Sequence, residues 1–208
     1  MTIITPNISR LLDLWLDEDI GRGDLSQPAI ENKIVSACWI CKQQGVFCGG
    51  ELVKCLYQRL DKSVEIKLHR SDGEEVIVGE KVMELNGPVS SLLAGERTAL
   101  NLVMHLSGIA TTTKKLVSAL EGTNVQLADT RKTTPGLRQL EKYAVRCGGG
   151  INHRLGLDDA AMLKENHIAW SKGITQSIKT LKKNLPWTTK IIVEAETSKQ
   201  AIEAVSAG

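Results

Sequence analysis

Three short apolar segments, each followed by a helical pattern, constrain the fold of the second half of this chain more than any other feature. The apolar segments cover residues 125–128, 161–163 and 191–193, and the helical patterns cover residues 136–147, 174–184 and 198–207. A repeated order of strand, loop and helix is typical of parallel β/α units. The second half is therefore predicted to contain about three β/α units of a barrel-like or doubly wound sheet.

The first half has a different pattern. Helical periodicity covers residues 9–20 and 50–60, whereas residues 34–40, 64–68 and 81–85 are short segments that often alternate between apolar and polar side chains. Turn signals stand at Asp72-Gly73 and Asn86-Gly87. This pattern predicts an antiparallel sheet with helices on one face, which is a sandwich-like α+β domain.

A long helical pattern joins the two halves. We expect one helix over residues 90–106 and, after Gly108, a second helix to about residue 120. The predicted domains are accordingly residues 1–108, an α+β domain, and residues 109–208, the first part of an incomplete α/β barrel.

Arg97 stands out within the first of these two helices. It lies on the face of Leu93, Leu100 and Met104, so it interrupts an apolar stripe. Either its aliphatic stem covers the edge of that stripe, or its guanidinium is presented to an anion across an interface. The sequence leaves both interpretations open.

Composition argues against nucleic acid and membrane as partners. The chain has 26 Lys and Arg against 24 Asp and Glu, so its net charge of +2 provides no basic field, and only 3% of its residues are aromatic. No apolar run approaches the roughly 18 residues of a membrane span. Five cysteines, an odd number, and a start without a basic signal region predict reduced thiols and a cytoplasmic location.

Basic side chains follow the predicted strands of the second half. Arg131 and Lys132 follow the first strand, Lys164 follows the second, and His153 and Arg154 lie between them. Ligands of parallel β/α folds bind at the carboxyl ends of the strands, and Arg offers bidentate recognition of carboxylate or phosphate. The set predicts a pocket for a multiply anionic small molecule; the alternative is that these residues only decorate solvated loops.

The third strand adds acidic side chains. Strand alternation places Ile191, Val193 and Ala195 on one face and Ile192, Glu194 and Glu196 on the other. If the aliphatic face packs under the helices, the two carboxylates point inward. An inward carboxylate needs a cation, a metal ion or a hydroxyl-rich ligand, because an unpaired buried charge is costly. A simple ion pair with Lys164 or Arg131 is an equally good interpretation for Glu194 and a weaker one for Glu196.

Two other patterns carry less weight. Cys38 and Cys41 have a metal-like spacing, but on a strand they point to opposite faces and no second pair has ligand spacing, so zinc is not favoured. The three glycines at residues 148–150 resemble a phosphate-binding loop, yet they follow a helix, where a glycine C-cap is expected.

Several longer blocks are specific enough to indicate a family. In the second half they are DTRKTTPGLR at residues 129–138, LEKYAV at 140–145, GGGINHRLGL at 148–157 and KENHI at 164–168; in the first half they are EDIGRGD at 18–24, GE at 79–80, ERTALN at 96–101 and SGIATTT at 107–113. In colinear order over essentially the whole chain, these blocks resemble the quinolinate phosphoribosyltransferase family, also called nicotinate-nucleotide pyrophosphorylase (carboxylating).

The resemblance implies an enzyme, a pentosyltransferase of NAD biosynthesis. Such an enzyme transfers phosphoribosyl from phosphoribosyl pyrophosphate to quinolinate, giving nicotinate mononucleotide, pyrophosphate and CO2, with Mg²⁺. It also implies a homodimer, or a hexamer of dimers, in which Arg97 reaches the neighbouring site.

By the same resemblance, substrate binding is expected from Arg97, Thr130, Arg131, Lys132, His153, Arg154, Lys164 and Glu196. Lys132, Lys164 and Glu196 are the expected catalytic residues, with Glu196 serving the ribose and, indirectly, its Mg²⁺.

The chain departs from the family pattern in two respects. Glu165 stands where the family usually has Asp. The family's chain also continues with a further aspartate-bearing strand and glycine-rich phosphate loops, so a sheet with an open edge is expected here. The alternative function is therefore a truncated, inactive fragment that acts at most as a folding or dimerisation unit.

Overall fold

The computed structural model describes residues 3–208, and the chain forms two compact units, of which the first ends at His153 and the second comprises Arg154–Gly208. The first unit has the helices α1 (Pro6–Ile20), α2 (Gly50–Leu60), α3 (Val89–Ser118) and α4 (Arg138–Cys147). Its strands are β1 (Ile34–Ile40), β2 (Gly45–Val46), β3 (Glu65–Leu68), β4 (Glu75–Val76) and β5 (Lys81–Pro88).

An antiparallel sheet forms in the first unit, as predicted. Its strand order is β1-β5-β3, and both pairings are antiparallel, with Leu85 of β5 between Ala37 of β1 and Ile66 of β3. The short pair β2 and β4 was not predicted, because two residues per strand are too few to show alternation.

The core of the first unit lies between these strands and the helices. Tyr57 of α2 is fully buried, and its hydroxyl donates a hydrogen bond to the Leu92 carbonyl of α3 at 2.9 Å. Gly95 permits this contact, since a Cβ at that position would lie 2.7 Å from the Tyr57 ring. Burial raises the pKa of Tyr57, so its hydroxyl remains a neutral donor.

The N-terminus of α2 is capped from a distant part of the chain. Gly49, at the N-cap, has a φ of 115° and no side chain to accept the first amide hydrogens. Asp72 Oδ1 instead accepts from the backbone nitrogens of Gly49 at 2.8 Å and Gly50 at 2.9 Å. Asp72 Oδ2 accepts from the Tyr143 hydroxyl at 2.8 Å, which ties α4 to the same carboxylate.

The predicted helix break at Gly108 is wrong, because α3 continues through it to Ser118. A glycine inside a helix costs about 1 kcal/mol relative to alanine. The flanking residues Leu106 and Ala110 are fully buried, and their packing offsets that cost.

The apolar stripe predicted around Arg97 lies on an exposed face of α3 and not on its buried face. Leu93 is 45% exposed and Met104 is 56% exposed, whereas the core face contains Ala99 and Val103. Arg97 therefore interrupts no core stripe.

The second unit has the predicted parallel β/α order. Its elements are β6 (Ala161–Leu163), α5 (Glu165–Ala169), α6 (Ile174–Asn184), β7 (Ile191–Val193) and α7 (Ser198–Ala207). β6 and β7 pair in parallel, and the side chains of Ile191 and Val193 pack against Leu163, Ile174 and Ile178. The aliphatic face of β7 thus packs under the helices.

The predicted strand at residues 125–128 is wrong. Only Ala128 pairs, in a single parallel bridge with Ile151, and Val125 is 61% exposed. An apolar sequence without a neighbouring ladder or a covering layer does not become a strand. The incomplete barrel with about three units stays a prediction. Within residues 3–208, no helix combines the length and apolar character that a bilayer crossing requires.

The glycine run at residues 148–150 caps α4, as predicted. The Gly148 nitrogen donates to the Ala144 carbonyl at 3.0 Å, and the Gly150 nitrogen donates to the Val145 carbonyl at 3.0 Å. A Cβ at Gly148 would lie 2.4 Å from the Ala110 carbonyl oxygen, so α4 ends in close contact with α3. Capping and packing account for these glycines without a bound phosphate.

Candidate active site

A buried carboxylate joins two of the segments that carry predicted site residues. Asp129 Oδ1 accepts from the backbone nitrogen of His153 at 2.8 Å and from the ammonium of Lys142. Asp129 Oδ2 accepts from Asn152 Nδ2 at 2.6 Å. Residues 129–132 and 152–153 are therefore held side by side in the first unit.

Backbone pairing supports the same arrangement. The Ile151 nitrogen donates to the Leu127 carbonyl at 2.8 Å, and the Asp129 nitrogen donates to the Ile151 carbonyl at 3.1 Å. These two bonds flank the parallel bridge of Ala128 and bring the two segments together directly before the polar residues begin.

The loop at residues 130–137 is held at several points. The Lys132 nitrogen donates to Thr130 Oγ1 at 3.0 Å, and Arg138 Nε donates to Thr133 Oγ1 at 3.1 Å. The Thr134 nitrogen donates to Oε2 of the buried Glu141 at 3.2 Å. The loop is thus closed by local bonds and anchored to α4.

Glu141 is shared between this loop and α3. Its Oε1 lies 3.0 Å from His105 Nε2. Burial alone would raise the pKa of Glu141, but the hydrogen bonds from Thr134 and His105 outweigh burial and hold the pKa below its ordinary value. The carboxylate form is therefore the one that the folded protein favours.

Four predicted site residues of the first unit lie on the two joined segments. Thr130 and Lys132 are exposed, and Arg131 and His153 are half-buried. Arg131 Nε is buried and has no hydrogen-bond partner among the described residues. A buried guanidinium nitrogen without an acceptor is unfavourable, and the carboxylate of a ligand would supply one.

In the second unit, Lys164 lies at the carboxyl end of β6. Its Nζ donates to Glu194 Oε1 at 2.8 Å, at the end of the neighbouring strand β7. Glu194 therefore forms the ion pair with Lys164 that was one of the two interpretations of the sequence. Glu196 is exposed, and its backbone nitrogen donates to Gln200 Oε1 at 2.7 Å.

The other two predicted binding residues have contrasting environments. Arg154 is buried, and its Nη1 donates to the Ala160 carbonyl at 2.8 Å, so part of its guanidinium holds the following loop. Arg97 is exposed on α3, beside the exposed Leu93 and Met104.

The acidic side chains fit Mg²⁺ only together with a substrate. Residues 3–208 contain no group of three or more His, Cys, Asp or Glu side chains placed to hold a metal ion. Glu194 is paired with Lys164, which leaves Glu196 as the exposed carboxylate beyond β7. Since Mg²⁺ is commonly bound by one or two carboxylates plus substrate phosphates, Glu196 fits an ion that arrives with a phosphorylated substrate.

Sequence reasoning missed the buried framework of Asp129, Lys142 and Asn152. A lysine within an amphipathic helix is normally assigned to the solvent side, so nothing in the local pattern predicted that Lys142 is buried. The available signal was Asp129, a carboxylate directly after an apolar segment.

An α+β unit followed by parallel β/α elements, with cationic side chains on the loops, defines a mixed α/β protein. Two family models match the chain: the quinolinate phosphoribosyl transferase N-terminal domain over residues 22–107 and the C-terminal domain over residues 109–208. The chain belongs to the quinolinate phosphoribosyl transferase family.

Relatives and solved structures agree with this membership. The chain is 45% identical to the probable nicotinate-nucleotide pyrophosphorylase (carboxylating) of Bacillus subtilis, over 97% of this chain and 70% of the relative. It is 46% identical to the protein of the same name from Synechocystis, over 99% of this chain and 71% of the relative. The nicotinate-nucleotide pyrophosphorylase structure from Francisella tularensis has a TM-score of 0.94 at 39% identity and is matched over 100% of this chain and 75% of that one.

Proposed function

We propose that this protein transfers phosphoribosyl from phosphoribosyl pyrophosphate to quinolinate, giving nicotinate mononucleotide, pyrophosphate and CO2 in NAD biosynthesis. Family membership and the names of the relatives support this pentosyltransferase activity. The observation that carries the proposal is the pair of joined segments with Arg131, whose buried Nε has no acceptor within residues 3–208.

In the first unit, Arg131, Lys132 and His153 bind the two carboxylates of quinolinate. The guanidinium matches a carboxylate with two parallel hydrogen bonds, and Lys132 adds a compact, exposed positive charge. Thr130 completes this segment, since its hydroxyl orients the Lys132 backbone.

In the second unit, Arg154 and Lys164 bind further anionic groups of the substrates. Glu194 holds the Lys164 ammonium at 2.8 Å and so limits the directions in which it can donate. Glu196 serves the ribose and its Mg²⁺. When bound, Mg²⁺ would neutralise negative charge on the pyrophosphate.

The reaction itself needs little acid–base assistance. The ring nitrogen of quinolinate forms a bond to the ribose carbon as the bond from that carbon to pyrophosphate breaks, which leaves a positively charged pyridinium. The ring then accepts the electron pair that remains when the adjacent carboxylate leaves as CO2, and the ring carbon takes up a proton. Positioning and charge stabilisation by the cationic side chains therefore supply most of the catalysis.

The proposed assembly is a homodimer, or a hexamer of such dimers, in which Arg97 reaches the site of the neighbouring subunit. Arg97 is exposed between two exposed apolar side chains, Leu93 and Met104, on one face of α3, which suits an interface. We also propose a cytoplasmic location, supported by five cysteines without a disulfide.

The direct test is pyrophosphate release by the 208-residue chain. Release should require quinolinate and phosphoribosyl pyrophosphate together. Arg131→Ala should lower it by at least about 100-fold while the unfolding midpoint stays unchanged, because the variant removes a charged binding group and no core contact. Arg10→Ala, a change at an exposed position of α1, is the matched control and should retain activity. A folded wild-type chain without any release would favour the alternative of a non-catalytic folding or dimerisation unit.

A further inference from the structure

Lys142 is the most deeply buried charged side chain of the first unit. Only 2% of its side chain is exposed, and the Asp129 side chain that it contacts is 7% exposed. Lysine is almost never fully buried without a partner, because the ammonium loses its hydration. A lysine that is buried this deeply therefore needs specific acceptors for its ammonium group.

The contacts of Lys142 join the two segments that carry proposed quinolinate ligands. Its Nζ donates to Asp129 on one segment and to the His153 carbonyl, at 3.0 Å, on the other. The Lys142 carbonyl also accepts from Asn152 Nδ2 at 2.9 Å. One residue of α4 thus contacts both segments through its side chain and its backbone.

We propose that Lys142 is a positioning residue for quinolinate. It does not touch the substrate; it sets the separation between Arg131 and Lys132 on one segment and His153 on the other. This proposal rests on the proposed function, because it takes quinolinate as the ligand of those side chains. A shift of about 1 Å in such groups can cost about 100-fold in rate, so a fixed separation has a direct functional value.

Two variants separate the effect of Lys142 on the stability of the protein from its effect on the positions of the ligand-binding side chains. One removes the charge of Lys142 alone, and the other removes the charges of both Lys142 and Asp129. Lys142→Met keeps the length of the side chain but leaves the Asp129 carboxylate in the core without its cation, which is destabilising. Asp129→Asn/Lys142→Met removes both charges and keeps an acceptor oxygen for the Asn152 or His153 donors. Neutral replacements of a buried ion pair are often tolerated, so we expect the double variant to unfold near the wild-type midpoint.

The experiment is a calorimetric titration of quinolinate into the wild-type chain, both variants and the control Lys54→Met, with thermal unfolding of each. Lys54 is a half-buried lysine of α2 that pairs with the exposed Glu51, so its variant should bind normally. The double variant should bind quinolinate about 10- to 100-fold more weakly despite its regained stability, because the link from the Asp129 position to the His153 carbonyl is gone. A stable double variant that binds within about twofold of wild type would overturn the proposal, since regained stability alone would then account for binding.

A second measurement needs no ligand. The His153 amide, which donates to Asp129, should exchange its hydrogen at least about tenfold faster in the double variant, whereas the amide of core residue Leu56 should be unchanged. Unchanged exchange at His153 would contradict the positioning role. If the wild-type chain binds no quinolinate, the proposed function fails, and the exchange result still decides whether Lys142 holds the two segments.

Discussion

At the scale of single residues, Glu141 shows how one buried carboxylate can organise a loop. It is buried on α4, yet it accepts hydrogen bonds from the loop through the Thr134 nitrogen and lies against His105 of α3. These bonds outweigh the effect of burial and hold the pKa of Glu141 below its ordinary value. Because the folded-state pKa is lower than the unfolded one, the ionised form stabilises the folded protein.

The lowered pKa fixes the sign of a pH effect. The contribution of Glu141 is fully present above the unfolded pKa, about 4.3, and is lost as the pH falls through the folded pKa. At pH 6, Glu141→Gln should lower the free energy of unfolding by about 1–2 kcal/mol. The difference from wild type should narrow below about pH 4, as measured by urea unfolding at a series of pH values.

Glu51→Gln is the matched control, since Glu51 is an exposed helix residue whose partner Lys54 is also on the surface. Its difference from wild type should be small at every pH. A Glu141→Gln difference that grows towards acid pH would contradict the assignment.

At the scale of secondary-structure elements, α2 depends on a cap that its own sequence does not contain. Asp72 satisfies two amides at the start of α2 and the hydroxyl of Tyr143 on α4. Burial and the hydrogen bond to this carboxylate raise the pKa of Tyr143, so the hydroxyl stays protonated and donates. One side chain thereby fixes the start of one helix and the position of another.

Asp72→Ala should therefore destabilise the fold by about 2–3 kcal/mol, because it leaves two amides at the start of α2 and the half-buried Tyr143 hydroxyl without this acceptor. Chemical denaturation monitored by circular dichroism measures the loss. Asp24→Ala provides the comparison: Asp24 accepts from Ser26 in an exposed turn, and its removal should leave the midpoint almost unchanged. Equal losses in both variants would show that Asp72 acts as an ordinary turn residue.

Some secondary-structure elements and some site residues could be predicted from the sequence, and others could not. Helices α2, α6 and α7 begin and end at the predicted residues, because their apolar residues recur at helical spacing over those ranges. Gly108 and residues 125–128 misled the prediction, because packing around α3 and the lack of a paired neighbour outweighed local propensity. Among the site residues, the cationic loops were visible in the sequence, whereas buried Lys142 depends on contacts between distant segments.

At the scale of the whole molecule, recognition of an anion does not depend on overall charge. The chain carries a net charge of only +2, so long-range attraction is weak and selectivity rests on the placement of individual cations. Each unit carries such side chains: Arg131 and Lys132 in the first unit, and Arg154 and Lys164 in the second.

Recognition of the two carboxylates of quinolinate by Arg131, Lys132 and His153 can be measured by an equilibrium titration. Quinolinate and nicotinate, which lacks one carboxylate, are titrated separately into the 208-residue chain at one ionic strength. We expect saturable quinolinate binding and nicotinate binding at least about tenfold weaker, since a hydrogen bond to a charged group contributes about 1.5–3 kcal/mol. Equal affinity for the two compounds, or no binding of quinolinate by the folded chain, would contradict this recognition.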